Sequence, residues 1–214
     1  MCGKILKIDP EDIDETLINE CAEHIRNNKI LILPTDTVYG ICANAFSKEA
    51  VKKIFDIKNR PGNKPLSILI ANIRQLSLLT NEIPKDALML IERFWPGPLT
   101  IIFRKTGKVF NDLTGSCETV GVRITSNPIT KQIIEKSMPI VASSANLSGE
   151  KSPSSFTEIN TELIQKVDYA IDAGKTLLKK ESTIITVYEK PFRVIREGAI
   201  PIEEISRFVN ITKE

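Results

Sequence analysis

The stretch "IKNRPGNKPLSILI", residues 57–70, changes character twice in a short span. It closes a helical segment, turns, and enters an apolar strand. Upstream, residues 47–58 place Ala50, Val51, Ile54 and Phe55 on one face at helical spacing, with Ser47 positioned to cap the first turn. Pro61 and Gly62 stop that helix, and "PLSILI" (65–70) is a short branched strand. A helix passing directly into a strand is the repeating unit of an α/β sheet. The turn also gathers Lys58, Arg60 and Lys64 with no acid among them. Between Lys48 and Lys64, six cations stand against two acids, Glu49 and Asp56. Lys48, Lys52 and Lys53 fit an ordinary helical charge pattern. Lys58, Arg60 and Lys64 read as a seat for an anion: arginine offers a planar fork to phosphate or carboxylate, and lysine a compact point charge.

Outward from this stretch the same alternation holds. Residues 11–28 predict an amphipathic helix, and "KILILP" (29–34) a strand stopped by Pro34, followed by the hydroxyl-rich loop "TDTVYG". Helical stretches are expected near 72–79, 84–94 and 128–137, and strands at 99–104, 119–124 and 139–144. Strands then cluster at 167–172, 182–189 and 192–197, before a final helix over 201–209 that starts with Pro201. The expected fold is α/β: a twisted sheet of mixed parallel and antiparallel strands with packed helices and a basic central cleft. With no repeat, linker or composition shift, residues 1–214 read as a single domain.

The totals exclude several classes. At 214 residues the chain buries a sizeable core, and a net charge of +2 writes no general affinity for nucleic acid into the whole. Cys2, Cys21, Cys42 and Cys117 form no CxxC pair, which predicts reduced, mostly buried thiols. The opening "MCGKILKIDPED" turns acidic at once, and no apolar run reaches the length of a membrane span, so the expectation is a cytoplasmic protein. The single histidine, His24, borders the apolar stripe of the first helix and reads as a helix-flank residue. That removes most Ser-His and Cys-His nucleophile schemes and most zinc sites. Chemistry then falls to Lys, Arg, Ser, Thr, Asn and backbone groups.

Other motifs narrow the field. "VASSANLSG" ends a strand in hydroxyl and amide groups, where α/β proteins keep ligands, although Ser and Asn also serve ordinary turns. Gly174-Lys175-Thr176 ends like a nucleotide-binding loop, but Tyr169 occupies the position that would need glycine, and no helix of the required length follows. Arg123 and Arg196 stand alone inside apolar strands. Each needs an anion if buried, or an edge strand open to water.

These motifs in this order resemble the YrdC family, the threonylcarbamoyl-AMP synthases, over about residues 12–205. The carriers are "LPTDTVYGICANA", the Lys-x-Arg of "KNRPGNKPLSIL", "TVGVRITSNP", the Ser-x-Asn of "SSANLSG", "ESTIITV" and "VIREGAI". Both pairs are intact, as Lys58/Arg60 and Ser144/Asn146. Some members carry histidine where this chain has Leu69. The resemblance implies the short, single-domain form and a nucleotidyltransferase that joins L-threonine, bicarbonate (or carbon dioxide) and ATP into threonylcarbamoyl-AMP and pyrophosphate. A tRNA threonylcarbamoyl transferase complex would accept the product.

It further implies site residues. Lys58, Arg60, Ser144 and Asn146 would be catalytic. Thr37, Arg123, Ser144 and Ser182 would hold threonine, with Thr35 lining the pocket. Arg60, Lys64, Thr119, Asn146, Ser154 and Arg196 would hold ATP. Mg2+ would enter with ATP, with no protein ligand expected. Two other readings are a non-catalytic module that binds tRNA or double-stranded RNA, and a carbamoyl-adenylate domain that uses carbamoyl phosphate. Few aromatics weigh against the first, and chain size and the lack of clustered cysteines against the second. The polar segments 105–118 and 147–156 are each candidates for a lid over ATP.

Overall fold

The structure, a computed structural model, describes residues 3–213. In chain order the elements are β1 (Lys4–Lys7), α1 (Glu15–Arg26), β2 (Leu31–Leu33), β3 (Gly40–Asn44), α2 (Lys48–Lys58), β4 (Ser67–Ile70), α3 (Lys85–Phe94), β5 (Leu99–Arg104) and α4 (Asn111–Thr114). There follow β6 (Thr119–Ile124), α5 (Pro128–Lys136), β7 (Ile140–Ser144), α6 (Thr161–Lys166), β8 (Tyr169–Asp172), β9 (Thr183–Thr186), β10 (Phe192–Arg196), α7 (Ile202–Ile205) and β11 (Ile211–Lys213). Among the described residues these strands form one sheet in the order β1-β8-β2-β3-β7-β4-β6-β5-β9-β10-β11. Five neighbouring pairs run parallel and five antiparallel, so the sheet is mixed, as the sequence predicts.

Strand alternation divides the core between two faces. Ile32, Ile41, Ile68 and Val122 pack with Val51 and Ile54 of α2 and Ala87 and Leu90 of α3. Leu31, Leu33, Cys42, Leu69 and Ile140 point the other way, onto Ile18, Cys21 and Ile25 of α1 and Ile129 and Ile133 of α5. Both faces are covered by helices, which is why the central strands read as continuous apolar runs.

The differences from expectation lie at ends and edges. The first helix begins at Glu15, because Asp14 caps it, its carboxylate accepting from the Thr16 and Leu17 amides at 2.7 and 3.4 Å. Ser47 caps α2 as expected, accepting from the Ala50 amide at 3.2 Å. That helix ends at Lys58, as expected, but Asn59 in the left-handed conformation at φ 49° is what stops it, and Pro61 and Gly62 only follow. Residues 73–78 form a 3-10 turn in place of an α-helix, and the final helix ends at Ile205. Strand β3 starts at the last residue of the loop "TDTVYG" and covers residues for which the sequence predicts no element; Gly40, Cys42 and Ala43 give it no branched run.

His24 stacks on Tyr169 with ring centroids 3.7 Å apart and lies 3.4 Å from Glu20 Oε1, at the flank of α1. Cys21 and Cys42 are buried, and burial pushes both thiols up to about 12, whereas Cys117 is exposed. Cys2 lies outside the described residues. Among the described residues no helix is long and apolar enough to cross a membrane.

Candidate active site

A cavity of about 340 Å³ opens beside Leu69 and Ala142, on the side of the sheet that carries α1 and α5. Five cations line it, Lys58, Arg60, Lys64, Arg123 and Arg196, together with two carboxylates, Glu150 and Glu181. Thr35, Thr37, Ser144, Asn146 and Ser182 complete the set of sequence-named residues brought together there. The lining does not include Thr119 or Ser154. Thr119 stands at the far start of β6, opposite Arg104. The Ser154 hydroxyl and amide are engaged by Glu158, at 3.1 and 2.7 Å.

Lys58 is the last residue of α2, a helix packed on the opposite face, and it is only 1% exposed. Its ammonium donates to the carbonyls of Ser144 and of Asn146, the latter at 2.6 Å. The Ser148 amide donates back to the Lys58 carbonyl at 3.2 Å. The Lys-x-Arg and Ser-x-Asn motifs are therefore one unit, joined through backbone. Burial first, and the Arg60 charge second, push the Lys58 ammonium down to about 8, with Glu150 and Glu181 pulling the other way. Arg60 donates to the carbonyls of Lys64 and Pro65 at 3.1 and 2.8 Å, folding the basic turn on itself. Its own pKa is lowered by burial. Asn146 is fixed by its side-chain amide, which donates to the carbonyls of Leu147 and Glu150 at 2.9 and 2.7 Å. Its Oδ1 and Asp36 Oδ2 are buried oxygens with no hydrogen-bond partner.

Arg123 is 5% exposed and sits on β6, an interior strand between β4 and β5, so the edge-strand reading does not hold. Its anion is internal: Asp36 Oδ1 lies 2.7 Å from Nη1. Sequence reasoning missed Asp36, although an arginine on an interior strand calls for a buried carboxylate and "TDT" supplies one. The loop holding it is locked by hydroxyls. Thr35 Oγ1 donates to the Val38 carbonyl at 2.6 Å, which leaves Thr37 Oγ1 to donate to Thr35 Oγ1 at 2.9 Å. Thr176 Oγ1 donates to the Thr37 carbonyl at 2.8 Å, so Gly174-Lys175-Thr176 braces this loop and leads into no helix.

Arg196 reaches the cavity through a β-bulge between Val194 and Arg196, which flips its face relative to regular alternation. It donates to the Ser182 carbonyl at 3.0 Å and pairs with Glu181 at 3.1 Å. Glu181 also accepts from the Ser152 hydroxyl at 2.5 Å. Gly198 makes this arrangement possible, because a Cβ there would stand 2.3 Å from the Glu181 carbonyl oxygen. Of the two lid candidates, 147–156 borders the cavity through Ser148, Gly149, Glu150 and Ser152, whereas 105–118 lines a separate groove. Among the described residues no three His, Cys, Asp or Glu side chains group as metal ligands.

The sequence profile of the Sua5/YciO/YrdC family, which carries the description "Telomere recombination", matches residues 23–198. The chain belongs to the Sua5/YciO/YrdC family. A threonylcarbamoyl-AMP synthase of Pyrococcus abyssi is 44% identical over 200 residues, covering 93% of this chain and 59% of the relative. The chain thus spans less than two thirds of that family member's length. A putative threonylcarbamoyl-AMP synthase of Methanocaldococcus jannaschii is 39% identical, over 96% of this chain and 98% of the relative. The crystal structure of P. abyssi Sua5 complexed with L-threonine superposes with a TM-score of 0.93 at 42% identity, covering 97% of this chain and 62% of that one.

Proposed function

We propose that this chain is a threonylcarbamoyl-AMP synthase, a nucleotidyltransferase that condenses L-threonine, bicarbonate or carbon dioxide, and ATP. The observation that carries the reading is the joining of Lys58/Arg60 to Ser144/Asn146 at one cavity that also receives Arg123 and Arg196. The names of the Pyrococcus and Methanocaldococcus relatives favour catalysis over a passive RNA-binding module. In the proposed reaction the threonine amine adds to carbon dioxide and loses a proton, giving a carbamate. A carbamate oxygen then bonds to the α-phosphorus of ATP, and pyrophosphate leaves with the electron pair of the broken P–O bond.

The second step brings negative charge against negative charge, so positioning and electrostatic stabilisation are its main requirements. Lys58 and Arg60 would offset the repulsion between carbamate and phosphates, and Lys64 and Arg196 would hold the triphosphate. Asn146 would bind the nucleotide, and Thr119 and Ser154, outside the cavity lining, would reach it only if the surrounding loops close. Thr35, Thr37, Arg123, Ser144 and Ser182 would seat threonine. ATP would enter as its Mg2+ complex, the hard ion held chiefly by phosphate oxygens and water. The product would pass to a tRNA threonylcarbamoyl transferase complex, with weak direct tRNA binding at most, in the cytoplasm.

The test is pyrophosphate release from ATP and bicarbonate, with and without L-threonine, for the wild type and Arg60→Ala. The reading expects threonine-dependent release that the substitution abolishes. Threonine-independent release, or none, overturns it.

A further inference from the structure

We propose that Asp36 is a positioning residue that aims Arg123, so that the free part of its guanidinium meets the carboxylate of the amino-acid substrate; this rests on the synthase reading above. Asp36 is 2% exposed and does not line the cavity, so it acts through Arg123, which does. A guanidinium has five N–H donors in a rigid fork. Here Nη1 donates to Asp36 Oδ1 at 2.7 Å and Nη2 to Thr37 Oγ1 at 3.3 Å, which fixes the plane and leaves the other donors for the cavity. Asp36 is itself fixed. The Thr125 hydroxyl donates to the same Oδ1 at 2.5 Å, and the Asn127 amide donates to Thr125 Oγ1 at 3.2 Å. The Asp36 carbonyl accepts from the Leu178 amide at 2.9 Å. The chain of contacts runs from the α5 cap through Thr125 and Asp36 to Arg123, and each member is nearly or fully buried apart from the cap.

The electrostatics explain why a carboxylate stands there. An unpaired buried arginine would attract any anion, including the triphosphate. Paired with Asp36, Arg123 carries little net charge, and what remains is direction: a fork that matches a carboxylate held in one orientation. That orientation decides where the neighbouring amine points, so Asp36 controls the placing of the nucleophile without touching it.

The experiment uses the full chain as wild type, Asp36→Asn and Thr125→Val. It reads threonine and ATP dissociation constants by calorimetry, melting temperature, and rotation of the Arg123 guanidinium by nitrogen NMR, assigned with Arg123→Lys. Asp36→Asn should weaken threonine at least about tenfold and ATP less than about twofold, and turn guanidinium rotation from slow to fast. Thr125→Val, which keeps the shape and loses the hydroxyl, should weaken threonine about threefold in the same pattern, and it decides the matter if Asp36→Asn does not fold. Unchanged threonine binding overturns the proposal, as does a parallel loss of threonine and ATP binding with melting temperature, which is the mark of a structural brace. If the wild type binds no threonine, the synthase reading fails, and the guanidinium resonance still judges the aiming by whether it loosens in Asp36→Asn.

Discussion

On the helix side of the cavity, Lys58 donates to the carbonyls of Ser144 and Asn146, and Arg60 to those of Lys64 and Pro65. On the strand side, Arg123 faces the carboxylate of Asp36, and Arg196 that of Glu181. Carbonyls orient a cation and leave its charge in place, whereas a carboxylate orients it and cancels the charge. The cavity is therefore uneven. Its helix side keeps net positive charge, which suits a polyanion; on its strand side the buried Arg123–Asp36 pair offers direction, which suits a single carboxylate, while Arg196, whose pair with Glu181 is open to solvent, stays within reach of the polyanion. The same residue types do different work according to what holds them.

The largest break in this comparison is Lys58→Met, which keeps the stem and removes the charge. We expect ATP affinity to fall by more than about a hundredfold, from the loss of a desolvated charge contact. Stability should fall by about 2 kcal/mol, because the carbonyls of Ser144 and Asn146 lose their donor while the cost of burying an ammonium disappears. Calorimetry and denaturant unfolding measure the two effects.

Titration of the same group sharpens the comparison. With the Lys58 ammonium held down to about 8 by burial, ATP affinity measured without threonine should weaken as pH rises through that value. Stability should move the opposite way. The unfolded chain keeps this proton up to its ordinary pKa of 10.5, so between about 8 and 10.5 the unfolded state binds more protons and folding gains with pH. A stability curve that falls over this window on account of Lys58, judged against Lys58→Met, contradicts the assignment. The smallest effect belongs to Glu181→Gln. Its pair with Arg196 is partly exposed, at 40% and 41% of the side chains, so solvent already screens it. Releasing Arg196 should tighten ATP by about two- to fivefold, most visibly at low salt.

Much of the frame was legible because local signals and burial agree in it. Ser47, the apolar face of α2, and the branched runs of β4, β5 and β6 each carry their own pattern. β3 was not legible, because Gly40, Cys42 and Ala43 give it no branched or aromatic run, unlike the equally buried β2. At the site, the cations were visible as residues and their partners were not. Asp36 and Arg123 lie 87 positions apart, and Lys58 and Asn146 lie 88 apart. Only the order of strands in the sheet brings them together, and no local spacing encodes that order. The β-bulge that turns Arg196 toward Ser182 was equally hidden, since alternation alone places that side chain on the other face.

The most direct test of the uneven cavity crosses two substitutions with two ligands. Binding of ATP and of L-threonine, each alone, is measured by calorimetry for Arg60→Ala and Arg123→Ala. The account expects Arg60→Ala to lose ATP and keep threonine, and Arg123→Ala to lose threonine and keep ATP. If both variants lose the same ligand, or each loses both to the same degree, the two sides do not divide the work and the account is wrong.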